Sequence, residues 1–255
     1  LGYARDRAQQ RQAQERIVAL ARENFGPGHQ ETLAQITTLA NFLLGSGQDY
    51  VPAAVRMQEK NYVAQRSLLG PVHGDVLRSS ATLQGLLEDN GELSRMRELA
   101  RESYEALVAG RGARHPRTLR ALNDYGGALL AAGEYDEALR VLREADALID
   151  EVVQGATQDT LNRKRRLHAA LQATGRYAEA LRFGEDLALR SARSQLSQVH
   201  TATLLRLATM QIELGQCEQA APVLDKLVEE LTLRDGPSDT KTLEARRASA
   251  QCSAE

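Results

Sequence analysis

The sequence predicts an all-α protein: a solenoid of about twelve helices, paired antiparallel and stacked into a right-handed superhelix. Three observations predict it. The first is a period. A Thr-Leu pair, once Val-Leu, recurs at Thr32-Leu33, Val76-Leu77, Thr118-Leu119, Thr160-Leu161, Thr203-Leu204 and Thr242-Leu243, with leucine-to-leucine steps of 44, 42, 42, 43 and 39. The second is two rows of glycine in phase with it: Gly47, Gly91, Gly133, Gly175 and Gly215 inside each copy, and Gly26, Gly70, Gly112, Gly155 and Gly236 between copies. Self-similarity at a fixed period is the signature of a repeat array, in which no copy buries its apolar face alone and neighbours must stack. The third is composition. The 255 residues are 42% hydrophobic and 26% charged, with no tryptophan and three phenylalanines, and strand formers are scarce.

The clearest copy runs from His115 to Leu148. Pro116 suits the first turn of a helix, where a missing N–H costs nothing. Thr118, Leu119, Leu122, Tyr125, Gly126 and Leu129 then follow at helical spacing, with Arg117, Arg120 and Asp124 between them. Gly133 ends this helix, and Tyr135 begins a return helix whose stripe is Ala138, Leu139, Leu142, Ala145 and Leu148.

The other elements follow in order around it. A leading helix over 4–24 has Ala13, Ile17, Leu20 and Ala21 on its apolar face and takes the place of the second helix of an incomplete copy. Repeat 1 spans 29–69, with one extra residue before Tyr50 and Pro52 at its second helix. Repeat 2 spans 73–110 and departs from the pattern at Gln84 and Met96. Repeats 3, 4 and 5 span 115–153, 157–195 and 200–234, and a capping helix over 240–252 covers the end. The whole, 1–255, reads as a single array.

The recurring phrase L-x-x-Y/L-G-x-x-L-x-x-x-G-x-Y-x-x-A-x-x-x-L-x-x-A resembles a tetratricopeptide repeat. The spacing near 42, and the linker G-P-x-H-x-x-T-L, resemble the longer variant typified by kinesin light chain and common in bacterial regulatory proteins. The resemblance covers about Gly26 to Leu243. It implies that first helices line a concave inner wall and second helices a convex outer one. It also implies a non-enzymatic scaffold that grips a protein or peptide on the inner wall, one, four and eight residues after the Thr-Leu leucine. Those positions include Asn41, Arg78, Arg120, Asn123, Asn162, Arg165 and Arg247. Arginine suits a carboxylate because its planar fork donates two parallel hydrogen bonds, and asparagine can satisfy an extended peptide's N–H and C=O together. The expected ligand is therefore an extended or acidic peptide, and the expected role a regulatory or sensor module of a larger bacterial protein. Self-assembly through the ends of the stack and small-molecule reception are the alternatives.

Other chemistry has less support. Four of the five histidines, His29, His73, His115 and His200, share one linker position, which points to a local role at a helix N-cap rather than a metal cluster. His168 occupies the slot of Gly126 and reads as packed against its partner helix. Cys217 and Cys252 have no catalytic partner in sequence and read as thiols, too few for a disulfide framework. No phosphate loop or nucleophile elbow occurs, so neither enzymatic activity nor a cofactor is predicted. A net charge of −2 argues against nucleic acid, even though Arg163-Lys164-Arg165-Arg166 is a basic cluster. No apolar run reaches the roughly 20 residues of a membrane span. With no signal peptide in view, the expected compartment is the cytoplasm. The start at Leu1, without Met, reads as a portion of a longer chain.

Overall fold

The computed structural model describes residues 2–44, 48–152, 158–193 and 197–252. Among these residues it contains twelve α-helices, one 3₁₀ turn and no strand. The helices are α1 (Gly2–Phe25), α2 (Gln30–Leu43), α3 (Val51–Leu69), α4 (Gly74–Asp89), α5 (Leu93–Arg111), α6 (Pro116–Ala131), α7 (Tyr135–Val152), α8 (Gln158–Ala173), α9 (Tyr177–Arg193), α10 (Ser197–Glu213), α11 (Cys217–Asp235) and α12 (Thr240–Cys252). The predicted markers Gly47 and Gly155 lie outside the described residues. The eight other marker glycines all have φ between 69° and 95°. Gly133 shows why: it follows the last turn of α6 in a left-handed conformation that a Cβ would disfavour, and its N–H closes on the Leu130 carbonyl at 3.1 Å.

The chain divides into two compact units, 1–134 and 135–255. In the first, each helix from α1 to α6 packs on its sequence neighbours, and α2 also meets α4. In the second, α7 to α12 follow the same rule, and α10 also meets α8 and α12. Helix n against n+1, with alternate helices also touching, is how stacked antiparallel pairs bury a continuous core. Leu33, Ile36, Leu83, Leu86, Leu87 and Leu99 lie in the core of the first unit. Leu161, Leu171, Leu187, Met210 and Leu224 are among the fully buried side chains of the second. Each such side chain contributes about 1.5–3 kcal/mol on burial.

The linkers explain the recurring residues. His29, His73 and His115 are N-caps: their Nδ1 atoms accept the N–H of Glu31, Asp75 and Arg117 at 3.2, 3.2 and 3.1 Å. An N-cap acceptor satisfies one of the orphan donors of the first turn. Asp239 takes the same role for Lys241 at 2.9 Å. His200 differs, because α10 begins at Ser197 and so places His200 inside its first turn. There its Nδ1 lies 3.1 Å from the Ala188 carbonyl of α9. The threonine of the Thr-Leu pair reaches back to the preceding helix. Thr32 Oγ1 lies 3.0 Å from the Ala21 carbonyl and 2.7 Å from that of Gly26, and Thr118 Oγ1 lies 3.4 Å from that of Leu107.

Two expectations are corrected. On α1, Val18 and Ala21 face α2, while Ala13, Ile17 (41% exposed) and Leu20 (45%) remain in solvent. Helix α2 is the main neighbour of α1, and Arg11 of α1 also stands over the Tyr50 ring at 4.8 Å. The cysteines are not separate thiols. Cys217 and Cys252 form a disulfide with Cα atoms 5.2 Å apart, well within bridging range. Cys217 opens α11 and Cys252 closes α12. Antiparallel packing therefore brings together two residues 35 apart in sequence.

Candidate ligand-binding groove

In the first unit, α4, α5 and α6 enclose a cavity of about 400 Å³. That volume suits a small ligand or one or two peptide side chains. Its rim carries Arg78 from α4 and Arg117 and Arg120 from α6, with Asp124 beside them. Leu77, Ala81, Ala100, Leu107 and Ala121 supply apolar wall. The floor is polar. Ser103 Oγ donates to the Leu99 carbonyl at 2.9 Å, which leaves Ser80 to donate to Ser103 across 2.8 Å. Gln84 Nε2 donates to Ser80 Oγ at 3.2 Å. Small residues at the back and long cations at the rim leave a concave, positively edged opening.

The helical period places these arginines. Arg117 and Arg120 are three apart on α6 and share a face. Arg78 is held by Asp75, one turn earlier, at 2.9 Å. That pair is exposed and adds little to stability, but it orients the guanidinium.

Of the residues expected from sequence, Arg78 and Arg120 line this cavity. Asn41 is exposed on α2, where its Oδ1 accepts the Thr82 hydroxyl at 2.8 Å. Asn123 is only 3% exposed and makes interactions of its own, so its amide is closed off from solvent. In the second unit, Arg165 is half-buried on α8 and Arg247 is exposed on α12. The side chain of Asn162 lies outside what is described. Arg117, Ser80 and Ser103 were missed. Arg117 carried a signal, since it stands one helical turn before Arg120. Ser103 carried none, because it belongs to a second helix.

The basic run on α8 is largely internal. Lys164 is buried, and its ammonium donates to Asp146 at 2.6 Å and to Asp150 at 3.0 Å, both on α7. Arg163 and Arg166 are half-buried with interactions of their own. One turn after Lys164, His168 is 1% exposed, and neither ring nitrogen has a hydrogen-bond partner among the described residues. Burial lowers its pKa from 6.5 to about 4, and the nearby charges of Arg206 and Arg165 push the same way. It is a neutral core histidine, packed against Gly184 of α9 and near Leu207 of α10. No helix among the described residues is long and apolar enough to cross a membrane. Nor do three or more His, Cys, Asp or Glu side chains gather there in a way that could hold a metal.

No family model and no curated protein matches the sequence. Solved structures do match the fold. A kinesin-light-chain-type protein of nearly identical TPR-like repeats from Podosopora anserina superposes with a TM-score of 0.69 at 22% identity, over 81% of this chain and 99% of that one. BtubC (BKLC) from P. vanneervenii gives a TM-score of 0.74 at 13% identity, over 90% and 92%. A Rap protein complexed with competence and sporulation factor gives 0.58 at 12% identity, over 97% and 73%. At such identities the likeness establishes the fold and nothing finer.

Proposed function

With a tetratricopeptide-type helical-repeat fold as premise, we propose that the chain is a single array of five repeats between a leading and a capping helix, acting as a non-enzymatic scaffold for a protein partner. An extended or acidic peptide docks along the first helices, and Arg78, Arg117 and Arg120 receive a carboxylate at the cavity between α4 and α6. The observation that carries this reading is that cavity. Three guanidiniums stand at the mouth of a space with apolar walls and a polar floor, and a bidentate guanidinium–carboxylate contact is strong and directional. The Rap protein, which shares the fold and is complexed with competence and sporulation factor, gives the reading a precedent. A regulatory role within a larger protein belongs to the same proposal.

The test is fluorescence polarisation with two labelled extended peptides, one glutamate-rich and one lysine-rich. The acidic peptide is expected to bind, to weaken with salt, and to lose at least tenfold in affinity to Arg78→Glu/Arg120→Glu. The basic peptide is expected not to bind. Equal binding of both peptides, or an unchanged affinity in the variant, overturns the site.

A second reading, self-association through α1, is favoured by the exposed Ile17 and Leu20. Light scattering tests it: a monomer at high protein concentration counts against it.

A further inference from the structure

The end helix α12 is held in an unusual way. The first helix of repeat 1, α2, buries seven side chains, among them Leu33, Ile36, Leu39 and Leu43. Helix α12 buries three, Thr242, Ala245 and Ala248. Two of these offer a single methyl, and the hydroxyl of Thr242 is buried without a partner among the described residues. Its polar ties to α11 are exposed: Ser249 to Asp225 at 3.1 Å and Arg246 to Thr232 at 3.3 Å. Exposed ties of this kind are weak because water competes for both partners. Beneath the two alanines lie Leu224, Leu227 and Leu231 of α11, all 1% exposed or less. A short, alanine-faced helix therefore covers a leucine-rich end face, and the Cys217–Cys252 bond fastens its far end. Both cysteines are half-buried, within reach of a small thiol.

We propose that this disulfide is a redox latch for the end of the stack. Oxidised, it pins α12 over Leu224, Leu227 and Leu231. Reduced, it lets α12 leave and uncovers them. The chemistry is ordinary thiol–disulfide exchange with a dithiol reductant. One thiolate of the reductant attacks a cysteine sulfur, the Cys217–Cys252 bond breaks, and a mixed disulfide forms. The second thiolate of the reductant then displaces the remaining protein thiolate. The protein gains two electrons and two protons, and the reductant leaves as its own disulfide. An oxidised dithiol reverses both steps. The latch does not depend on what the groove binds.

The test uses the full chain and trypsin, because α12 carries Lys241, Arg246 and Arg247. Peptide mapping without reductant first shows whether residues 217 and 252 are joined in aerobically purified protein. Cleavage at the three α12 sites is then timed with and without a phosphine reductant, against sites in α6 as reference. The expected result is at least tenfold faster cleavage in α12 on reduction, no change in α6, and recovery of resistance on reoxidation. A Cys217→Ser/Cys252→Ser variant is expected to cleave at the fast rate under both conditions. Free thiols in the aerobic protein, or equal cleavage of α12 in both redox states, overturns the latch.

Discussion

Burial of His168 makes a prediction about acid stability. Both ring nitrogens are enclosed and unpartnered among the described residues, so the folded protein takes up a proton there only below about pH 4. In the unfolded chain the imidazole titrates near its ordinary 6.5. The folded pKa is thus the lower one. Above pH 6.5 both states are neutral, and pH has no effect through this group. As pH falls from 6.5 toward 4, the unfolded state binds a proton that the folded state refuses, and stability falls. At about 1.36 kcal/mol per pH unit, a gap from 6.5 to about 4 amounts to about 3 kcal/mol. Because the side chain is almost wholly enclosed, solvent screening reduces this little.

The perturbation is His168→Leu, which fills a similar volume without a titrating group. Urea unfolding followed by circular dichroism is measured at several pH values from neutral down to pH 4. The wild type is expected to lose about 3 kcal/mol more than the variant across this range, and the variant to equal or exceed the wild type at neutral pH. An NMR titration is expected to keep the His168 ring neutral until about pH 4. Parallel stability curves for the two proteins, or a ring that titrates near 6.5, would refute the reasoning.

Three further outcomes are expected. In Gly184→Ala, the new methyl would lie 2.5 Å from Leu207 Cδ2 and 2.9 Å from His168 Nε2. The crowding should cost about 1–3 kcal/mol and appear as a lower Tm in calorimetry. Lys164→Met removes the cation shared by Asp146 and Asp150, one turn apart on α7, at a cost of about 1–2 kcal/mol by urea unfolding, since Asp150 is half exposed; adding Asp146→Asn should recover part of it, and no recovery would deny the coupling. His115→Ala removes the acceptor for the Arg117 N–H and should cost about 1 kcal/mol, measured as the shift of the urea midpoint.

Features that depend on a few neighbouring residues were legible in the sequence. The twelve helices and the glycines that end helices rest on periodicity and backbone preference. So does the capping role of His29, His73 and His115, since an N-cap reaches only two residues ahead. The candidate site was legible in part. Arg78 and Arg120 stand at the cavity because both follow the same repeat marker.

Tertiary structure decided the rest, because packing chooses which face of each helix meets a neighbour. Asn123 and Arg120 are one turn apart on α6, yet one is enclosed and the other reaches the cavity. Ile17 and Leu20 read as core by period but stay in solvent, since the next helix lies on the flank of Val18 and Ala21. Lys164 reads as one member of a basic cluster, and packing buries it against two aspartates of α7. Cys217 and Cys252 meet because α11 and α12 run antiparallel over a distance set by helix length. A repeat sequence determines where its helices begin and end, through local hydrogen bonding and steric preference. Which side chains meet across helices depends on rotation and register, and those are set by the sum of many contacts distant in the chain.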